Sequence, residues 1–298
     1  MINRLKSLLS LSLTVAALVA VPLCGYAAMT IYLKDGRSFS VPVTPDEVLS
    51  ISFEGAAAPL ASPGKPAAPT LSAPPVSDGL SVWLDASDFA SIFQTPDGFD
   101  QVTGGNQPVG LWRDKSNNDN HMTQQRPESR PRLSKSGIGN KPAIMFESRQ
   151  SLSLPTNFPA PLSVFYVARM TGGANARVLN ALANNWLLGF WAGNKNQAYY
   201  EGWVSPEGTP PTDIHPHVFT AIVRGPGQNS EVWADGNMIA DNQRGVTGPN
   251  GLAINAGPYN ESSNCQVAEI LVYNRALSSD ERRKVEGYLK SRWNIARN

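Results

Sequence analysis

A chain of 298 residues is long enough for one large domain or two smaller ones. With 25 Gly and 24 Pro it favours many turns and few long helices. Its 25 basic and 24 acidic residues nearly cancel, which excludes the broad basic field that holds nucleic acid or an anionic membrane.

Residues 1–27 read as a secretory signal peptide. Arg4 and Lys6 form a basic start, residues 8–23 are apolar with scattered Ser and Thr, and Gly25, Tyr26 and Ala27 supply the cleavage region. The apolar run is shorter than the ~20 residues that span a bilayer, and Pro22 interrupts it. An uncleaved anchor is one competing reading. Lipidation at Cys24 is another, disfavoured by the bulky Leu23 before it. Cleavage removes two basic residues and no acidic ones, turning the net charge from +1 to −1. No later run is long enough for a membrane helix, so the mature chain is expected to have no transmembrane segment. It is expected to be secreted, periplasmic or at the cell surface. Of the two cysteines, Cys24 would leave with the signal, and Cys265 would have no partner for a disulfide.

Residues 28–55 form a small β unit. Ile31 and Leu33 alternate, Asp35-Gly36 carries a hairpin signal, and Phe39, Val41 and Val43 alternate on the return. Leu49, Ile51 and Phe53 suggest a third strand. So few residues cannot bury an independent core. Residues 56–77 are a linker dominated by Pro and Ala, extended and semi-stiff. Residues 78–298 are the main domain.

This domain reads as turn-punctuated β structure. Strands are expected at 81–84, 109–113, 143–146 and 162–169. A hairpin of 186–191 and 198–204 turns around Gly193, Asn194, Lys195 and Asn196. Further strands fall at 218–224, 230–234, 237–240 and 251–256. Regular strand spacing without helices points to an all-β fold, a two-sheet antiparallel sandwich or jelly roll. The chain closes differently. Residues 267–273 are apolar on both faces, as in a strand buried on both sides. Ser278 and Glu281 have capping-box spacing, and Val285, Tyr288, Leu289 and Trp293 share one helical face.

Several stretches together carry a resemblance: LSVWLDASD (80–88), WRDKSNNDNH (112–121), RPRL (130–133), NKPAIMF (140–146) and AEILVYNRALS (268–278). They resemble the bacterial LamG-like jelly-roll domains of the concanavalin A-like lectin/glucanase superfamily. The resemblance covers residue 79 to the end, with 172–260 matching in pattern only. It implies a sandwich in which the first and last strands lie side by side. It fixes no function, because the fold hosts lectins, hydrolases and adhesion modules.

Candidate chemistry follows from residue type and spacing. The superfamily's glucanases carry a Glu-x-Asp-x-x-Glu cluster on one strand, which places two carboxylates on one face for acid and base work. This sequence lacks it. Glu201 and Glu269 each stand alone, and no nucleophile motif occurs, so no catalytic residue is assigned and the chain is read as a non-enzyme. Asp213, His215 and His217 alternate as zinc ligands could, but a structural role for this histidine segment is preferred. The 114–120 loop offers oxygens for calcium through Asp114, Asn118 and Asn120; its alternative is an Asx-rich turn held by its own bonds. Asp85 and Asp88 have the same two readings.

The strongest candidate is aromatic. Trp186, Phe190, Trp191, Tyr199, Tyr200 and Trp203 crowd into one hairpin, beside Asn194 and Asn196. Sugars offer C–H faces to aromatic rings and hydroxyls to amides. Alternation separates Trp186 and Phe190 from Trp191, and Tyr199 and Trp203 from Tyr200; one set fills the core and the other is free to line a face. The ligand-binding residues are expected among Trp191, Tyr199, Tyr200, Trp203, Asn194 and Asn196. The sequence thus reads as a non-catalytic binding module for a glycan or a cell-surface protein. A structural or adhesive subunit, and a polysaccharide hydrolase or lyase, are the alternatives.

Overall fold

The computed structural model describes residues 73–296 and, as backbone, three strands nearer the N-terminus. The chain divides into two units, Met1–Ala68 and Pro69–Asn298. In the first, β1 (Val15–Leu23), β2 (Tyr26–Leu33) and β3 (Ser38–Val41) form an antiparallel sheet in that order. β1 runs through the stretch read as the signal's apolar core. β2 and β3 pair as Met29↔Val41 and Ile31↔Phe39, flanking the Asp-Gly signal. The strand expected at 49–53 and most of the linker lie outside the described residues.

The second unit contains two stacked antiparallel sheets and one helix. Its strands are β4 (Leu80–Asp85), β5 (Ile92–Phe93), β6 (Leu111–Trp112), β7 (Met122–Thr123), β8 (Arg132–Ser134) and β9 (Ala143–Phe146). Then come β10 (Leu152–Asn157), β11 (Leu162–Asn175), β12 (Leu179–Asn180), β13 (Trp186–Trp191) and β14 (Asn194–Tyr200). The series ends with β15 (His217–Val223), β16 (Ser230–Ala234), β17 (Asn237–Asn242), β18 (Asn250–Ile254), β19 (Ser263–Tyr273) and the helix α1 (Ser279–Arg292). One sheet runs β14-β13-β12-β18-β10-β7-β6-β5, and the other β17-β16-β15-β11-β19-β9-β8, with β4 also paired to β19. The long β19 therefore has β11 on one side, and β9 and then β4 on the other. The first and last strands of the domain are neighbours, in register Ile270↔Leu84 and Val272↔Val82.

Val82, Leu84, Trp112, Phe146, Tyr166, Trp186, Phe219 and Ile270 fill the space between the sheets. A second apolar layer lies on the outer face of the β19 sheet. There Phe165, Val167, Ile222, Leu271 and Tyr273 pack with Val285, Tyr288 and Leu289 of α1 and with Trp293 directly after it. The helix thus explains why β19 is apolar on both faces. Simple alternation breaks within it: a bulge opposite Val167 and Ala168 turns Val267 to the inner core and leaves Ala268, Leu271 and Tyr273 on the helix side.

The helix starts where its capping box puts it. Ser278 accepts the Glu281 N–H, and the Glu281 carboxylate accepts the Ser278 N–H at 2.9 Å. Arg275 grips the same carboxylate in two bonds of 3.0 and 2.8 Å. Two charged residues of the helix are buried with its apolar face. Arg282 is buried, stacked 3.5 Å over the Trp233 ring and paired with the buried Glu286, which accepts Thr220 Oγ1 at 3.0 Å.

Glu269, fully buried, joins these layers. Its Oε1 accepts Trp83 Nε1 at 2.9 Å and Tyr288 Oη at 2.8 Å; its Oε2 accepts Trp293 Nε1 at 2.6 Å. Arg292 lies 3.3 Å from Oε2 and 2.7 Å from Asp85, whose other cation is Lys115 at 3.0 Å. Burial, and then the nearby Asp85, raise the Glu269 carboxyl to about 7 against the pull of Arg292, Trp293 and Tyr288. A folded-state value above the unfolded one means that the native chain keeps a proton the unfolded chain has lost. Stability from this group is full below the unfolded value of 4.5 and falls as pH rises towards 7. The loss is on the order of 3 kcal/mol. Urea unfolding between pH 4.5 and 7 should show this decline, and the slope should flatten in Glu269→Gln.

Candidate functional site

At the β14 edge, the paired strands β13 and β14 divide their aromatic residues between two faces. Trp186 pairs with Tyr200, and the two rings stack face to face, 5.2 Å apart and 17° from parallel. With Phe190 they belong to the inner core. Trp191, Tyr199 and Trp203 form the other set, each half-buried. Trp203 touches both of its partners, with ring centroids 4.9 Å from Trp191 and 5.2 Å from Tyr199.

Trp203 reaches this face because the chain reverses after β14. Glu201 takes φ +56°, the Tyr200 N–H bonds back to the Gly202 carbonyl, and Trp203 bridges to Tyr199. Gly202 is required there, since a Cβ would lie 1.9 Å from the Arg244 carbonyl oxygen. The following loop covers the free edge of β14, as an edge strand needs. Lys195 N–H bonds to the Pro210 carbonyl at 3.0 Å, and the buried Gln197 donates to Thr209 O and accepts from Gly208 N, each at 3.0 Å.

A polar arm borders the aromatic set. Trp191 Nε1 donates to Glu261 Oε1 at 3.3 Å, and Glu261 Oε2 pairs with Arg177 Nε. Arg177 also donates to Asn185 Oδ1 at 2.8 Å and lies 4.4 Å beneath the exposed Tyr259 ring. Asn185 N–H reaches Glu201 Oε1 at 2.9 Å. The guanidinium and carboxylate balance each other, so the face combines ring surface with hydrogen-bonding groups and little net charge. Such a surface suits a ligand that is apolar on its C–H faces and rich in hydroxyls.

Of the residues expected to bind, Trp191, Tyr199 and Trp203 come together here. Tyr200 does not: it is fully buried against Trp186 and cannot meet a ligand, because its register partner faces the core. Asn194 and Asn196 are not turn residues. The turn is Ala192-Gly193, Asn194 opens β14 and bonds to the Ala192 carbonyl at 3.0 Å, and Asn196 takes φ +62° where the pairing slips opposite Gly189 and Phe190. Arg177, Glu261 and Tyr259 were not anticipated. They join the hairpin from two distant loops, and their local sequence carries no periodic or spacing signal.

The other candidate groups are engaged in structure. Asp114 uses both oxygens as acceptors, Oδ1 for Trp83 N–H and Ser116 N–H, Oδ2 for Ser116 Oγ and Asn120 N–H, at 2.7–3.0 Å. Asn118 and Asn120 donate their amides to the Leu80 and Ser81 carbonyls at 3.0 and 2.8 Å. This is an Asx turn tying the loop to β4. Asp88 caps a short 3₁₀ turn and meets Lys115 at 2.8 Å.

His217 is buried with a carboxylate on each nitrogen, Asp235 at 2.6 Å and Asp213 at 3.0 Å, and Asp213 also pairs with Lys195. Burial alone would lower the imidazole's pKa; Asp235 and then Asp213 outweigh it and raise it. Burial opposes ionisation of Asp213 too, but Lys195 and His217 hold its carboxyl at about 2. Neither group forms a metal cluster, and no set of three or more His, Cys, Asp or Glu among the described residues does. The cluster ties the 201–216 loop to β15 and β16. Of the lone carboxylates, Glu269 is sealed from solvent and Glu201 is exposed beside Asn185.

No family model matches the sequence. A search of curated proteins finds no match either. Among solved structures, a Trypanosoma rangeli sialidase with 2,3-difluorosialic acid aligns at 14% identity and TM-score 0.43, over 74% of this chain and 34% of that one. Domain 4 of AbnA, a GH43 extracellular arabinanase from Geobacillus stearothermophilus in complex with arabinotriose, aligns at 14% and 0.45, over 69% and 98%. The binding domain of Paraclostridial Mosquitocidal Protein 1 aligns at 13% and 0.45, over 71% and 52%. The alignment thus spans about a third of the sialidase chain.

Two outcomes follow from the geometry. Tyr200→Ala should cost about 3–5 kcal/mol in urea denaturation, and Trp191→Ala, half-buried, about 1–2 kcal/mol. Because the Asp114 oxygens are filled by protein donors, calcium chloride and EDTA should leave the thermal midpoint where it is; a calcium-dependent rise would show an ion bound there.

Proposed function

We propose that this chain is a secreted or envelope-associated binding module, a LamG-like jelly roll that recognises a saccharide without turning it over. The observation that carries the reading is the outward group of Trp191, Trp203 and Tyr199, with Trp203 in ring contact with each of the other two, continued by the Glu261–Arg177 pair. Trp203, between the other two rings, is held by both of them and by the reversed chain at Gly202. Little side-chain freedom is left to lose on binding, which favours affinity. The pyranose or furanose C–H face would rest on Trp191 and Trp203, with Asn185, Glu201 and Glu261 near enough to share hydrogen bonds with hydroxyls.

The same geometry supports binding over catalysis. Hydrolysis by acid and base requires two carboxyl groups facing the scissile bond. Glu269 lies under the helix with both oxygens bonded, so it cannot serve as one of them. The N-terminal reading, an apolar stretch followed by Gly25, Tyr26 and Ala27, supports export.

Glycan-array binding should fall at least about tenfold in Trp203→Ala and in Trp191→Ala, while thermal midpoints drop by only the few degrees that a loss of about 1–2 kcal/mol implies. Full retention of binding in both variants, or release of reducing sugar that Glu201→Gln abolishes, would overturn the reading.

A further inference from the structure

Two clefts flank the segment 156–162, which runs from the end of β10 into the start of β11. The first, about 270 Å³, is walled by Ser81, Asn118, Asn120, Thr156 and Asn274. The second, about 510 Å³, is walled by Asn184, Glu201, Pro226, Thr247 and Asn250. Asn157, Pro159 and Ala160 line both, so this segment is a ridge with a cleft on either side.

The lining is unusual in its charge. Neither cleft is walled by Lys, Arg or His, and Glu201 is the single ionisable group of the two. Amides supply most of the polar atoms, and they divide by role. Asn120 and Asn184 are spent on the fold: Asn120 bridges Ser81 O and Thr156 Oγ1, and Asn184 bridges Gly248 O and Asn250 N–H. The Asn157 and Asn274 amides bond to no described residue, and Asn118 Oδ1 accepts from none. A free amide sets a donor beside an acceptor, which matches a pair of neighbouring hydroxyls. The exposed rings of Pro159 and Pro226 add apolar surface at ligand height.

We propose that this ridge is a second saccharide site, bordering the aromatic one at Glu201, and that it takes an uncharged oligosaccharide long enough to occupy both clefts. The inference rests on the saccharide-binding reading above. An anionic sugar or a phosphate would find no cation here and would meet the Glu201 carboxylate. An extended peptide would need a free strand edge or apolar side-chain pockets; β10 is paired on both sides, with β7 and β18.

The test is isothermal titration of the full chain with neutral gluco-, xylo- and arabino-oligosaccharides from disaccharide to hexasaccharide. Trigalacturonate and a proline-rich peptide serve as controls. Wild type is compared with Trp203→Ala, with Asn157→Ala/Thr247→Ala, and with all three changes together. Asn157 and Thr247 are exposed, so folding should survive, as checked by thermal midpoint. The expected result is that Trp203→Ala keeps binding to a neutral hexasaccharide, and that adding the two cleft substitutions weakens this residual binding about tenfold or more. If wild type binds and Trp203→Ala binds nothing, the aromatic site acts alone and the ridge proposal falls. It falls equally if the cleft substitutions leave the residual binding unchanged, or if trigalacturonate or the peptide displaces the hexasaccharide. If wild type binds no saccharide at all, the saccharide-binding reading itself fails.

Discussion

Glu269 sits out of reach of water, and its two oxygens draw donors from two separate parts of the chain: Trp83 on β4, and Tyr288 and Trp293 on the helix side. A buried carboxyl is costly unless every lone pair is answered. The indole and phenol donors are equally costly to leave unanswered. The group is therefore satisfied only when β4 lies beside β19 and α1 lies across both. Asp85, one strand away, repeats the constraint through Lys115 and Arg292. Hydrophobic burial holds the layers together without direction. The directional part, which fixes where the helix lies on the sheet, comes from this polar pair.

Much of the fold was legible because it was local. The Ser278–Glu281 box, the branched run before it and the apolar stripe of the helix are each written within one or two turns of chain, and all are found in place. β10 was not legible: Pro155 breaks its pattern and the pairing with β18 slips between Leu154 and Asn157. Two-residue strands such as β5, β7 and β12 have no period to read. The faces taken by Val267 and Ala268 were hidden as well, because a bulge interrupts the alternation of β19 there.

The aromatic site was half legible for a related reason. Composition located the right hairpin, and alternation separated its two ring sets. Which set faces inward depends on cross-strand register, here Trp186 opposite Tyr200, and register is a property of the assembled sheet. The Arg177–Glu261 arm depends on contacts across 84 positions in the chain, beyond any local pattern. The loop that carries Trp203 is fixed in turn by ion pairs of its own, from Asp213 to Lys195 and His217, so the rings stand on a scaffold that is electrostatic on one side and set by close backbone packing at Gly202 on the other.

The pairing of β4 with β19 also sets an order in time. Trp83 and Glu269 are 186 positions apart, and the donors from Tyr288 and Trp293 come later still. A chain that leaves a ribosome or a membrane channel N-terminus first must hold β4 without its partner until β19 has emerged. Contacts of such long range slow folding and leave an open sheet edge in the meantime. Completion of the domain is thus deferred to its final residues, and a chain shortened by even a few turns of helix would keep most of its strands and lack the piece that makes them permanent neighbours.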